Sequence, residues 1–263
     1  MYKMIAIDLD DTLLNDCHQV GLEDREALLR AKKAGIRLCM MTGRNYLSTK
    51  PYLEMASFQD MMGCLNGAYI VDPGTDSFLY QYSINGDICA EILKDIEKTG
   101  THINLYHDHK AVSRERNHMT KYYRDLTGIE PEPVGTLSEY VLAVNVGKLL
   151  LIDENEKLKQ IQKELKQKYH QVVQFTFSKP GHLEVNSIHA SKGNAVEAIA
   201  EHYNIARDEI IAIGNDENDI SMLQFAGLGV AMGNSSNQVK SHANVVTRSN
   251  NESGVAHVIE EYL

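Results

Sequence analysis

Short apolar runs that stop abruptly at polar clusters constrain this chain more than any other feature. Lys3–Asp8 is β-compatible and leads into Leu9-Asp10-Asp11; Ile36–Met41 ends in Thr42-Gly43-Arg44. Glu209–Ile213 runs into Gly214-Asn215-Asp216-Glu217-Asn218-Asp219. Between the first two runs, Leu22–Ala34 places Leu22, Ala27, Leu28, Leu29, Ala31 and Ala34 at broadly helical spacing, and Gly35 follows where a helix-ending glycine belongs. Strand, helix and strand at this spacing predict a βαβ unit, whose strands lie parallel with their carboxyl ends on one edge. In an open parallel sheet, ligands bind outside those carboxyl ends. Clusters far apart in the chain are therefore expected to meet.

The rest of the chain reads around that frame. Pro51–Met62 is expected to be helical, and Ala68–Val71 and Phe78–Tyr82 form a hairpin around Asp72-Pro73-Gly74-Thr75-Asp76. From about Ile84 the style changes. Ile88–Lys98 and Lys157–Tyr169 read as amphipathic helices, and Ile103–Tyr106, Ala111–Ser113, Val141–Val146, Leu149–Leu151, Val172–Phe177 and Leu183–Val185 as strands. Near Ser191 the βαβ style returns: helices Ala195–Tyr203, Ile220–Phe225, Gln238–His242 and Val255–Tyr262 alternate with strands Gly227–Ala231 and Val245-Val246. The expected architecture is α/β, a doubly wound, mostly parallel sheet built discontinuously from 1–83 and 188–263, with an α+β domain inserted at 84–187.

Charge and composition exclude several function classes. With 26 Lys+Arg against 36 Asp+Glu, the net charge is −10 and no dense basic block stands out, which argues against a nucleic-acid partner. No apolar run approaches the roughly 18 residues of a membrane span, and Met1-Tyr2-Lys3-Met4 leads straight into the first strand without a signal-peptide core. The expectation is a soluble, cytoplasmic protein with no membrane partner; monomer and homodimer are equally compatible with the sequence. Cysteines 17, 39, 64 and 89 form no C-x-x-C and are read as free thiols. His102, His107 and His109 with Asp108 are read as an exposed strand edge rather than a zinc site. Tyr122 and Tyr123 are read as packing, the charges of Lys157–Lys168 as a solvated helix face, and Arg44, Asn66, Arg114, Arg116 and His182 as individually weak candidates for substrate contact.

Asp8, Asp10, Asp11, Asp216 and Asp219 at converging strand ends would repel and raise one another's pKa. A hard divalent cation relieves that crowding, and Mg²⁺ suits a few carboxylates, waters and a phosphate. An anionic ligand would need further help. The Thr42 hydroxyl, the backbone N–H groups of Leu9, Asp10 and Gly43, and Lys192 at a helix start are the candidates.

Asp8-Leu9-Asp10-Asp11-Thr12-Leu13-Leu14, Thr42-Gly43-Arg44, Ser191-Lys192-Gly193 and Gly214-x-x-x-Asn218-Asp219 resemble, in order, the four motifs of the haloacid dehalogenase-like phosphatases. The insert's position, Asn66-Gly67-Ala68 and Val230-Ala231-Met232-Gly233-Asn234 are similar to the Cof-like branch, in which the insert is a mobile cap that selects substrate. The resemblance implies a Mg²⁺-dependent phosphatase for small phosphorylated metabolites, with Asp8 as nucleophile and Asp10 as general acid and base. It implies Thr42, Gly43, Lys192 and Asn218, with the Leu9 backbone, around the transferring oxygens. Asp8, the Asp10 carbonyl and a fourth-motif residue would hold the metal. This chain departs from the family's usual Gly-Asp by having Gly214-Asn215, so Asn215, Asp216 or Asp219 could complete the site; register favours Asn215. A phosphomutase and a non-enzymatic phospho-switch or metabolite-binding regulator are the rival functions.

Overall fold

A computed structural model describes residues 1–56 and 58–263, with the Tyr80 side chain outside that description. In chain order the elements are β1 (Met4–Asp8), α1 (Leu22–Lys33), β2 (Arg37–Met41), α2 (Tyr46–Met55), β3 (Met62–Cys64), β4 (Tyr69–Asp72) and β5 (Ser77–Gln81). There follow α3 (Gly86–Glu97), β6 (His102–His107), β7 (Lys110–Ser113), α4 (His118–Thr127), β8 (Glu132–Pro133), α5 (Leu137–Tyr140), β9 (Lys148–Ile152), α6 (Asn155–Tyr169), β10 (Val173–Lys179) and β11 (His182–Ser187). The chain ends with α7 (Lys192–Tyr203), β12 (Ile210–Gly214), α8 (Ile220–Phe225), β13 (Leu228–Ala231), α9 (Asn237–Lys240), β14 (Val245–Val246) and α10 (Gly254–Tyr262). Two compact units result: Met1–Tyr80 with Ser191–Leu263, and Gln81–Ala190.

The first unit carries an eight-stranded sheet in the order β14-β13-β12-β1-β2-β3-β4-β5. It is parallel from β14 to β3 and turns antiparallel between β3 and β4. Strand order departs in both directions from β1, which lies between β12 and β2, and this is the switch point where such sheets open a crevice. Met4 and Ala6 pack with Ala195, Val196 and Ile199 of α7 and with Met222 and Leu223 of α8. By strand alternation Asp8 points to that same face, at the level of the first turn of α7. Pairing of Ile7 with Ile213 and of Asp8 with Met41 brings three strand ends level with one another.

Two expectations for local structure fail. The Pro51–Met62 helix instead spans Tyr46–Met55, with Pro51 inside it and Met62 opening β3. Asn45 starts the helix by accepting the Ser48 N–H, so the cap, not the proline, sets its beginning. Ser57, within the expected helix, lies outside the described residues. Val141–Val146 is not a strand either: Val141–Ala143 is a 3₁₀ turn and Val146 makes an isolated bridge with Ile84. Burying Val141 and Val146 while leaving Leu142 exposed outweighs the β preference of this run.

The packing of α1 against α10 contains a buried carboxylate. Asp24 Oδ1 accepts the Ala256 N–H at 2.8 Å, within the first turn of α10, whose own N-cap Ser253 makes no side-chain cap bond. Burial nevertheless dominates and pushes the Asp24 carboxyl up to about 6, with Ala256 opposing it. The native chain then keeps this proton at pH values where the unfolded chain, near its ordinary value, has released it, so this group's contribution to stability falls as pH rises. Asp24→Asn keeps an acceptor for Ala256 without the charge. It is expected to stabilise the protein by about 1–2 kcal/mol at neutral pH, with a smaller gain towards pH 4.5. Thermal melts across that range check this, and an offset independent of pH would contradict it.

The second unit is a six-stranded sheet in the order β10-β11-β9-β6-β7-β8, antiparallel except for β7–β8. Ile92, Leu93 and Ile96 of α3 and Leu158, Ile161 and Leu165 of α6 cover one face, meeting Leu105, Leu149, Leu151 and Val185. Strand alternation sends Lys148 and Glu184 to the other face, where they form a buried ion pair at 3.0 Å. Tyr123 of α4 packs edge-on against Tyr106 there.

Candidate active site

The first unit gathers residues from all four motifs. Asp8, 5% exposed, ends β1, and Lys192, 1% exposed, begins α7. Lys192 Nζ donates to Asp8 Oδ1 at 2.6 Å and to Asp219 Oδ1 at 2.5 Å. Burial and the neighbouring Asp219 push the Asp8 carboxyl up to about 8 against the pull of Lys192. For Lys192, burial works against the charge, but Asp219 and Asp8 outweigh it and hold the ammonium above its ordinary value. A carboxylate–ammonium–carboxylate triad thus stands at the switch point.

Asp219 was a candidate metal ligand, but its oxygens have other partners. Oδ1 takes Lys192, and Oδ2 accepts the N–H groups of Asn215 at 2.8 Å and Asp216 at 2.9 Å. A Cβ on Gly214 would lie 2.5 Å from Asp219 Cγ, so only glycine lets this carboxylate fold back under its own loop. Asp216 is exposed and accepts the Glu217 N–H at 2.7 Å, the work of a helix cap.

Asn215 occupies the remaining corner. Its Oδ1 accepts the Thr12 hydroxyl at 3.0 Å and lies 3.2 Å from Asp8 Oδ2 and 3.1 Å from the Asp10 carbonyl oxygen. Turned over, the amide would present its NH₂ to the same three oxygens. The amide setting therefore follows from what fills the niche: its oxygen faces a cation, its NH₂ faces the bare acceptors. One carboxylate oxygen, one carbonyl and one amide oxygen at these separations make a hard donor set that fits Mg²⁺. Among the described residues no group of three His, Cys, Asp or Glu could hold a metal; this niche draws on an amide and a carbonyl instead.

The Asp10 side chain faces away from that niche. It is gripped by the Arg44 fork, Nε to Oδ2 at 2.9 Å and Nη2 to Oδ1 at 2.5 Å. Arg44 follows Thr42, which is fully buried and whose Oγ1 accepts the Arg44 N–H at 3.1 Å. The Thr42 carbonyl accepts the Asn66 N–H at 3.0 Å. A Cβ on Gly43 would meet Asn66 Oδ1 at 2.9 Å, and that oxygen accepts Asn218 Nδ2 at 3.1 Å. Asn66 sits in the left-handed region at φ 61°. Asn218 Oδ1 is buried and finds no partner among the described residues. A continuous path of contacts and chain neighbours thus links Asp8, Lys192, Asp219, Asn218, Asn66, Thr42, Arg44, Asp10 and Asn215. Leu9, fully buried, joins the two acids, and its carbonyl accepts the Leu14 N–H at 2.9 Å.

Arg114, Arg116 and His182 belong to the second unit, where Arg116 pairs with Glu130 at 3.4 Å. His107 bonds the Tyr140 hydroxyl at 2.8 Å and His102 bonds Asn104 at 2.9 Å. All four cysteines are free thiols, and no described helix is long and apolar enough to cross a membrane. Sequence reasoning assigned no role to Thr12 or Tyr52. Thr12 carried a signal in its place directly after the acids of the first motif, whereas Tyr52, whose ring lies against the Arg44 guanidinium, carried none.

Fold and site define a doubly wound α/β enzyme with its polar groups at the carboxyl ends of parallel strands. Residues 5–259 match the family model of haloacid dehalogenase-like hydrolases. YxeH of Bacillus subtilis is 36% identical, covering 99% of this chain and 98% of its own. The 5-amino-6-(5-phospho-D-ribitylamino)uracil phosphatase YitU of Bacillus subtilis is 30% identical over 98% of this chain and 97% of its own. Among solved structures, a haloacid dehalogenase-like hydrolase from Bacteroides thetaiotaomicron superposes with a TM-score of 0.90 at 27% identity, covering 100% of both chains. The chain belongs to the haloacid dehalogenase-like hydrolases, and within them it is a phosphatase.

Proposed function

We propose that the protein is a Mg²⁺-dependent phosphomonoester hydrolase for small phosphorylated metabolites, such as sugar phosphates or phosphorylated cofactor precursors, working through an aspartyl-phosphate on Asp8. The observation that carries this reading is the division of Asp8 between two environments: Oδ1 on Lys192, Oδ2 at the oxygen niche. The relative YitU, named for a phosphorylated ribitylaminouracil, supports the substrate class.

Asp8 attacks phosphorus, forming its O–P bond as the bond to the leaving oxygen breaks, while Asp10 gives that oxygen a proton. Water then attacks phosphorus and gives its proton to Asp10; the Asp8–phosphorus bond breaks and free phosphate leaves. Lys192 pulls the buried Asp8 towards its ionised form, against burial and Asp219, and retains a third N–H for a phosphoryl oxygen, since two are taken. The Thr42 hydroxyl accepts from Arg44 and so has its own proton to donate. It would hold the equatorial oxygens together with the Leu9 and Gly43 N–H groups and Asn218. Asp8 Oδ2, the Asp10 carbonyl and Asn215 Oδ1 would hold Mg²⁺, which when bound supplies charge neutralisation. Asp219 positions Lys192 and the Asn215 loop, and the inserted unit is the substrate-specificity domain.

A panel of phosphorylated metabolites tests the reading. Phosphate release should require Mg²⁺, stop with EDTA and need no bisphosphate activator, which separates it from a phosphomutase. Because Asn215 contributes a neutral oxygen, Asn215→Asp is expected to lower the Mg²⁺ concentration for half-maximal activity by about tenfold. An unchanged titration midpoint would remove Asn215 from the metal site.

A further inference from the structure

Asp10 poses a positioning problem. Its side chain is 43% exposed, so no apolar wall fixes the carboxylate, and the Arg44 fork is what orients it. Arg44 has a long, flexible side chain of its own, 23% exposed. Its guanidinium lies over the Tyr52 ring at 4.9 Å from the centroid, and Nη1 approaches the Tyr52 hydroxyl at 3.3 Å. Tyr52 stands on α2, which is anchored by the buried Tyr46, Thr49 and Leu53 and capped by Asn45. Ring and hydroxyl together set both the plane and the rotation of the fork, as a cation–π contact with one added hydrogen bond does.

We propose that Tyr52 is a positioning residue for the reaction, setting Asp10 through Arg44. A bidentate fork takes one lone pair from each Asp10 oxygen and leaves the outer ones for a proton shared with the leaving oxygen or water. Tilting the guanidinium swings those outer lone pairs away from the reacting oxygen. An ion pair this exposed contributes little to stability, so the arrangement is kept for geometry rather than for folding. The inference rests on the reading of Asp10 as general acid and base.

Single-turnover rapid quench with p-nitrophenyl phosphate and Mg²⁺ tests it. Nitrophenolate leaves without needing a proton, so phosphoenzyme formation tolerates a misplaced Asp10, whereas its hydrolysis does not. Tyr52→Leu is expected to slow phosphoenzyme decay about 10–30-fold with formation within a factor of about two and an unchanged melting temperature. Tyr52→Phe, which keeps the ring, should fall between it and wild type. Asp10→Asn is the reference. If its phosphoenzyme decays at the wild-type rate, the reading of Asp10 fails and the inference falls with it. If Asp10→Asn traps the phosphoenzyme while Tyr52→Leu decays like wild type, or loses formation and decay equally, the role of Tyr52 is overturned and the reading of Asp10 stands.

Discussion

Asp8→Asn is expected to lower p-nitrophenyl phosphate turnover with Mg²⁺ by about 10⁴-fold or more, the scale of removing a covalent nucleophile. The substitution is nearly isosteric and its amide oxygen can still accept from Lys192, as Asp8 Oδ1 does at 2.6 Å, so the fold has little reason to change. Burial and Asp219 already push the Asp8 carboxyl up, and a neutral amide relieves that crowding. The variant should therefore melt no lower than wild type in metal-free buffer. Loss of activity with retained stability is the expected signature, read from phosphate release and a thermal melt on the same preparation. Equal rates in the two proteins would remove Asp8 as the nucleophile.

Lys192→Met should do the opposite to stability. It leaves Asp8 and Asp219, 5% and 0% exposed, without their shared counter-charge. Removing one partner from a buried ionic cluster costs about 3–5 kcal/mol. Activity should fall by about 10²–10³-fold from the lost donor to the transferring oxygens alone. The pH dependence separates this from simple mispacking. With Lys192 gone, the Asp8 carboxyl is raised further above its unfolded value, so the folded variant binds protons more tightly than the unfolded chain does. Its deficit against wild type should be widest near pH 8–9, where wild-type Asp8, at about 8, has ionised, and should shrink towards pH 5. Melting curves in EDTA check this; a deficit constant across that range would mean that packing, not charge, is what Lys192 supplies.

Much of this arrangement is legible in the chain because a parallel sheet converts periodicity into position. Apolar runs of strand length alternating with helical ones specify βαβ units, and right-handed crossovers leave every parallel strand with its carboxyl end on one edge. Asp8, Thr42 and Gly214 end their strands or directly follow them, so they share a rim although they are distant in sequence. Lys192 follows from the same logic as the first residue of a helix packed on that sheet face. Local stiffness was less legible. Val141–Val146 has strand composition yet turns, because burial takes Val141 and Val146, five residues apart and so on opposite faces of a strand, for a reason outside the segment.

Sequence alone therefore determined the alternation of elements and the sheet edge on which the acids stand, since both depend on spacing along the backbone. Tertiary structure alone decided what each acid does with its oxygens. Asp219 turns inward onto Lys192 and its own loop, Asp10 outward onto Arg44, and Asn215 towards Asp8. Those choices depend on side-chain rotamers and on partners far away in the chain, such as Thr12, 203 residues from Asn215. A carboxylate's role follows from the donors that reach it, and in this fold those donors arrive from strands and helices that only packing brings together.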